Sequence, residues 1–325
     1  MSVKESVLTT LKNNTDGFVS GEFLSQKMDV SRTAIWKAIT SLRKEGYSIE
    51  AVTNKGYRLV TGNGCITQDA LINELPDRYK QLDIHVYDTI DSTNTKAKQL
   101  ALTGAPHGTV VIAKSQTAGK GRLGRSFYSP KDGIYISIVI KPDFDFTMSG
   151  LVTTATAVAV AESIEEICDI KTDIKWVNDV YVDNKKVCGI LSEGITDFET
   201  GQIESIIIGI GINTSVEGFP KELADIAGAI SGEYSAPILA AEVISKTLDL
   251  MQDIESRTFI DTYRQKNLVI GKTVTVYKGI YINDPSEVPS SRAKVLGIDE
   301  NGGLMVLYTD GTRETLTSGE ISIRI

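Results

Sequence analysis

Histidine and cysteine are scarce in this chain of 325 residues. Only His85 and His107 occur, which argues against a Ser-His-Asp triad and against histidine-rich metal sites. Cys65, Cys168 and Cys188 stand apart, with no metal or disulfide spacing, as expected of thiols kept in a reducing compartment. No apolar run reaches the roughly eighteen residues that a membrane helix needs, so no membrane partner is expected. The opening stretch MSVKESVLTTLKNN lacks the apolar segment and cleavage site of a secretory signal, and a cytoplasmic location is expected. What the chain has is size. It is too long for one ordinary core, and with 41% hydrophobic and 23% charged residues it reads as two or three soluble globular domains.

The formal net charge is −8, which by itself argues against a polyanionic partner. The distribution points the other way. Residues 1–60 hold nine Lys or Arg against six Asp or Glu, so this segment carries +3 and the remainder −11. Such asymmetry is expected of a separate N-terminal module that meets nucleic acid.

The pattern of that module agrees. Ser2 and Glu5 form a capping box ahead of the apolar stripe Val3, Val7, Leu8 and Leu11. Ser20 can cap a short helix reaching Met28. Ser31 can cap a third, with Ile35, Ala38, Ile39 and Leu42 on its buried face and Gly46 placed to end it. YSIEAVTNKGYRLV then reads as two short strands around Asn54-Lys55-Gly56. Three helices and a hairpin make a winged helix-turn-helix, whose third helix enters the major groove. Its outer face offers Ser31, Arg32, Thr33, Trp36, Lys37, Thr40 and Lys44 to phosphates and base edges, with Lys55 and Arg58 on the wing. Operator DNA is the expected partner, and a protein-docking module with a basic face is the alternative. The pattern leaves Trp36 between core and contact.

Residues beyond the linker TGNG (61–64) alternate helix and strand. TKAKQLALTG, SGLVTTATAVAVAESIEEIC and ILAAEVISKTLDLMQDIE read as helices. TVVIAKSQ, GIYISIVI with one alternating apolar face, a hairpin turning at Asp183-Asn184, and ESIIIGIGIN read as strands. Many strands adjoin in sequence, as in a mixed α+β layer. Within it SQTAGKGRLGRSFYSP carries Gly119, Gly121 and Gly124 at G-x-G-x-x-G spacing, with Lys120, Arg122 and Arg125 threaded between. A dinucleotide fingerprint needs a helix after its third glycine. Here a polar, proline-broken stretch leads into a strand instead. A P-loop needs Ser or Thr after its lysine, and Gly121 follows Lys120. A kinase glycine loop needs Val two positions after the third glycine, where this chain has Ser126. What remains is a flexible loop of glycine and cation, mobile until an anion orders it, and suited to a carboxylate beside a polyphosphate.

GKGRLGRSFYSP resembles the glycine-arginine loop of the biotin protein ligases. Lys120 replaces the usual Arg, and Phe127 stands where a Trp is frequent. DSTN (91–94), KWVNDVYVDNKKVCGIL with Val177 for the usual proline, GIGIN (209–213) and the final SGEISIRI resemble further motifs of that family, in order along nearly the whole chain. The resemblance implies the bifunctional form, a biotin ligase that also represses biotin genes. It implies biotin, ATP and Mg²⁺ as substrates and cofactor. Biotinyl-5′-AMP forms first, and a lysine of a biotin carboxyl carrier protein then takes the biotinyl group. Ser92, Thr93, Asn94 and Gln116 are implied at the bicyclic ring, and Lys120 and Gly121 at the valeryl carboxylate. Arg122, Lys186 and Asp179 are the implied catalytic residues. Arg122, Arg125, Phe127, Asn178 and Asn213 lie on the nucleotide side, with Mg²⁺ reached through Asp179. An adenylate-bound homodimer presenting two winged helices is implied for repression.

The implied fold class is multidomain α+β: a winged helix-turn-helix over 1–62, a mixed α/β ligase domain with a class II synthetase-like sheet over 63–269, and an SH3-like β-barrel over 270–325. Strands KTVTVYKG, RAKVLGID, GLMVLYTD, TRETLT and EISIRI, with turns at Asn301-Gly302 and Asp310-Gly311, agree with that last piece. It is a lid over ATP, a docking site for the carrier, or a structural cap. Three rivals stand beside this reading: a ligase whose winged module is silent, a sensor without catalysis, and a lipoate ligase.

Overall fold

A computed structural model describes residues 2–14, 17–44, 47, 49–53, 55–59, 64–131, 133–144, 148–197, 199, 201–277, 289–317 and 320–322. The chain divides into two compact units. One comprises 1–81 with 233–242, the other 82–232 with 243–325.

The first unit opens with α1 (Val3–Lys12), α2 (Gly21–Met28) and α3 (Arg32–Lys44), followed by β1 (Ile49–Val52) and β2 (Gly56–Leu59). The caps fall where the sequence places them. Ser2 and Glu5 close a reciprocal capping box, Ser20 Oγ accepts the Phe23 N–H at 3.0 Å, and Ser31 Oγ accepts the Ala34 N–H at 3.2 Å. Val7, Leu11, Leu24, Ile35, Ile39 and Leu42 are buried into one small core. β1 and β2 pair antiparallel from Ile49↔Leu59 to Val52↔Gly56. Val19 and Tyr57 exchange backbone hydrogen bonds of 2.7 and 2.8 Å, which ties the segment before α2 to the second strand. Gly46, Asn54 and most of the linker lie outside the described residues. A further short helix, α4 (Gln68–Glu74), is capped by Thr67.

The second unit is built on a seven-stranded sheet of order β3-β4-β5-β9-β8-β7-β6. These strands are β3 (Ile84–Tyr87), β4 (Val110–Ala113), β5 (Ile134–Ile140), β6 (Asp173–Lys175), β7 (Asp179–Val182), β8 (Lys185–Thr196) and β9 (Ile203–Ile212). Only β3 and β4 pair parallel, and α5 (Thr93–Leu102) lies between them in sequence as their crossover. The remaining neighbours are antiparallel. All of β5 is buried, Ser137 included, rather than one alternating face. It is central in the sheet, and a strand covered on both faces reads as a continuous apolar run. Ala97 and Ala101 of α5 pack on Val111, Val139 and Ile207 on one side of that sheet. α6 (Ser149–Cys168), α7 (Ala236–Gln252, its residues to Glu242 grouped with the first unit) and α8 (Phe259–Lys266) complete the helices.

A second sheet, of order β13-β12-β11-β10-β14, is antiparallel throughout. Its strands are β10 (Thr273–Tyr277), β11 (Ser290–Ile298), β12 (Leu304–Tyr308), β13 (Arg313–Leu316) and β14 (Glu320–Ser322). The turn before β12 reaches the first sheet, where the buried Trp176 indole donates to the Gly302 carbonyl at 2.9 Å. Arg264 of α8 donates to the Ile298 carbonyl at 2.9 Å.

Candidate functional site: a cleft at the glycine-cation hairpin

The loop 115–130 is drawn into a hairpin by its own backbone hydrogen bonds. Gly121 N–H donates to the Arg125 carbonyl (2.7 Å), Phe127 N–H to Gly119 (2.9 Å) and Gln116 N–H to Ser129 (3.1 Å). A Cβ on Gly119 would stand 2.4 Å from the Phe127 carbonyl oxygen, so glycine is needed there for close backbone approach.

The hairpin walls a cleft of about 50 Å³ enclosed volume, about 440 Å³ with its open mouth included. Three groups of residues meet there. The first turn of α5 and the strand end after β4 bring Ser92, Thr93, Asn94 and Gln116. The hairpin brings Lys120, Gly121, Arg122 and Phe127. The hairpin of β7 and β8, with β9, brings Asn178, Lys186, Gly189 to Leu191 and Gly209 to Gly211. Sequence spacing could not bring these together, because the cleft lining runs from Ser92 to Gly211. The sheet order does, by placing β9 between β5 and β8.

At one end the polar groups are already oriented. Thr93 donates both its N–H (2.8 Å) and its hydroxyl (3.1 Å) to Gln116 Oε1, and Gln116 Nε2 donates to Ser129 Oγ at 2.9 Å. At the other end charge collects. Arg122 Nη1 donates to Asn178 Oδ1 (3.2 Å), and Asn178 Nδ2 donates to the Ile190 carbonyl (2.9 Å). Lys186 Nζ stands 2.7 Å from Asp179 Oδ1, an ion pair between two largely buried side chains. It also stands 5.7 Å from the centre of the Phe127 ring. Asp183 and Asn184, at φ 49° and 61°, make the tight turn that pairs Lys186 with Tyr181, two residues along β7 from Asp179. Below this end lies the buried Tyr263 of α8, whose hydroxyl donates to the Val177 carbonyl at 3.0 Å. Burial, then Asp179, push its hydroxyl pKa up, and Arg122 offsets part of this. Burial likewise raises Tyr181, with Asp179 adding to it.

Not every expected residue lines the cleft. Arg125 is half-buried at the tip of the hairpin, where its carbonyl accepts the Gly121 N–H. Asp179 meets the cleft through Lys186. Asn213 is buried, with its amide donated to the Gly228 carbonyl at 3.0 Å. The sequence reading missed Gly189, the stretch Ile190-Leu191, and what the strand glycines do. Gly209 lies under the Asn94 amide and Gly211 under the Phe127 ring. A G-I-G-I alternation in a buried strand was the available signal, because it leaves one face of the strand without side chains.

In the first unit, Ser31, Arg32, Thr33, Trp36 and Lys37 are exposed along α3. Trp36, at 57% exposure, is a surface residue and not core. Thr40 is half-buried and returns its hydroxyl to the Trp36 carbonyl at 2.8 Å. Arg32 is engaged by Glu22 of α2 at 2.7 Å. Lys55 and Arg58 stand over the Phe18 ring, 6.0 and 4.7 Å from its centre. The Lys44 side chain lies outside the described residues. An open cleft of about 580 Å³ runs between the start of α2, Arg32 and Lys55.

Three family models match the sequence. The Biotin/lipoate A/B protein ligase family covers residues 86–213, an HTH domain covers 3–58, and the Biotin protein ligase C terminal domain covers 287–324. The Bifunctional ligase/repressor BirA of Bacillus subtilis (strain 168) is 34% identical over 316 residues, 96% of either chain. That of Escherichia coli (strain K12) is 27% identical, over 94% of this chain and 93% of the other. Among solved structures, the biotin protein ligase from Aquifex aeolicus in complex with biotin and ATP superposes with TM-score 0.61 at 27% identity. It covers 74% of this chain and 98% of that one.

Proposed function

Because the chain belongs to the biotin protein ligases, in their bifunctional ligase/repressor form, we propose that the cleft at the glycine-cation hairpin holds biotin against ATP. The protein is an ATP-dependent biotin ligase with a DNA-binding repressor domain. A carboxylate oxygen of biotin attacks the α-phosphorus of ATP, and pyrophosphate leaves. The amine of a lysine on a biotin carboxyl carrier protein then attacks the acyl carbon of biotinyl-5′-AMP, loses a proton, and AMP leaves. Neither step needs a protein nucleophile, which suits a cleft without histidine or cysteine.

The observation that carries the assignment is the division of the cleft into a neutral, pre-oriented end and a cationic end. Ser92, Thr93 and Gln116 suit the ureido ring, a neutral group rich in donors and acceptors. Lys120 and Gly121 meet the valeryl carboxylate by backbone, the Gly121 N–H turning from the Arg125 carbonyl to do so. Arg122 clamps that carboxylate and the α-phosphate, and Arg125 faces the pyrophosphate. Lys186 stabilises the charge that gathers where carboxylate and phosphate meet, Asp179 and Asn178 holding it and Arg122 in register. Phe127 turns toward adenine, and Asn213 orients phosphate from beneath.

Among the described residues no group of three His, Cys, Asp or Glu side chains could hold a metal alone. Asp179 and Asn178 offer one or two oxygen ligands, which fits Mg²⁺ held mostly by phosphates and water. That ion, when bound, neutralises phosphate charge. The three segments 1–62, 63–269 and 270–325 are the functional domains, the central sheet of class II synthetase type and the last an SH3-like barrel. Among the described residues no helix is long and apolar enough to cross a membrane, in keeping with work in the cytoplasm. Retained adenylate promotes a homodimer that presents two copies of α3 to an operator. Sedimentation that shows self-association unchanged by biotin plus ATP would exclude this last step.

The test of the cleft is mass spectrometry of ligand retained after mixing with biotin, ATP and Mg²⁺. The parent retains biotinyl-5′-AMP, and Arg122→Ala retains little. Biotin retained without adenylate would favour a sensor over a ligase.

A further inference from the structure

Asn94 lines the cleft, yet its amide is used up by the protein. It is 5% exposed. Its Oδ1 accepts the Ser137 hydroxyl at 2.6 Å, and its Nδ2 donates to Glu193 Oε2 at 2.8 Å and approaches the Leu191 carbonyl at 3.5 Å. An amide group carries one oxygen and two N–H donors, so almost nothing remains for a ligand. The fit under it is close, since a Cβ on Gly209 would stand 2.1 Å from Asn94 Oδ1. Asn94 also sits in the first turn of α5, beside Ser92 and Thr93. Any movement of it shifts the Thr93 N–H and hydroxyl that orient Gln116.

Glu193 is half-exposed on β8 and does not line the cleft. Its carboxylate can only accept. It therefore decides which end of the Asn94 amide faces it, and leaves the oxygen for Ser137 and the space over Gly209. We propose that Glu193 is a positioning residue for biotin recognition, acting through Asn94, and that the Asn94 amide itself makes no hydrogen bond to the ligand. The proposal rests on the reading that the ring of biotin occupies this end of the cleft.

Biotin binding by calorimetry and steady-state adenylation are compared for the parent, Glu193→Ala, Glu193→Gln, Asn94→Ala and the Asn94→Ala/Glu193→Ala double variant. Glu193→Ala is expected to weaken biotin on the order of tenfold, with KM for ATP and the Tm unchanged. Glu193→Gln, which keeps an acceptor, recovers most of the loss. In the Asn94→Ala background the second substitution costs nothing further, because the residue it acts through is gone. Parent-like biotin affinity in Glu193→Ala would overturn the proposal, as would the same loss repeated on top of Asn94→Ala. Equal weakening of biotin and ATP with a lowered Tm would reduce Glu193 to a structural residue. A parent that binds no biotin would instead overturn the reading of the cleft itself.

Discussion

Two strand glycines are accounted for by two side chains that need their space. Gly211 faces Phe127 closely enough that a Cβ would stand 2.5 Å from the ring. Gly211→Ala therefore evicts the ring, and retained adenylate is expected to fall about tenfold or more through misplacement of the hairpin. Unchanged retention by mass spectrometry would mean that the ring has no part in closing the site. The cysteines make a second residue-level case. Burial pushes the Cys168 thiol up to about 11 and raises Cys188 further. The thiolate is the reactive form, so both stay inert at pH 8 while the half-exposed Cys65 reacts. Titration with a chromogenic disulfide should release one fast equivalent from the folded protein and all three after denaturation. Three fast equivalents would contradict the buried placement. Most cleft residues were legible through the family resemblance of the motifs they stand in. Their partners were not, since Ser129 for Gln116 and Glu193 for Asn94 depend on pairings between distant segments.

Among the elements, the helices were the most readable, since caps and a period near 3.6 are local signals. α6 runs from Ser149 to Cys168 as its pattern predicts, and the three N-terminal helices begin at their serines. Ser20→Ala should destabilise the first unit by about 1 kcal/mol, read by thermal unfolding. α4, β3 and α8 escaped the sequence reading because each is short and gains its definition from packing. α8 is fastened to α6 by an ionic contact with a pH signature. Burial alone would raise Glu165, but Lys266 and the N–H and hydroxyl of Thr172 outweigh it and hold the carboxyl below its usual range. A depressed folded pKa gives stability that is present above the ordinary value near 4.5 and lost as pH falls through the folded value. Glu165→Gln should thus cost about 1–2 kcal/mol at pH 7 and nothing against the parent once the pH is well below 4.5. A difference that persists in acid would assign the loss to packing.

At the scale of the whole molecule, the two activities are proposed on separate sets of residues. Lys37 is exposed on α3 in the first unit, and the cleft proposed for adenylation belongs to the second. Lys37→Glu should abolish operator binding and leave adenylate formation as in the parent. Lys37→Ala should lower the salt slope of DNA binding by about one, the loss of one phosphate contact. Loss of adenylation in Lys37→Glu would show that the two activities are not independent. Operator binding by Lys37→Glu with an unchanged slope would remove α3 from the interface.

The sequence by itself determined the kind of the parts. Charge asymmetry and serine caps marked the DNA-binding module, and the ligase chemistry came through the family resemblance that the glycine-cation loop, DSTN and KWVND carry, because such motifs are short runs of sequence. Only the tertiary structure decided that the cleft is assembled on β9 between β5 and β8, that its glycines face Asn94 and Phe127, and that Trp176 is fixed by the Gly302 carbonyl. Those facts follow from strand order and close packing between segments far apart in the chain, and no local pattern of residues encodes them.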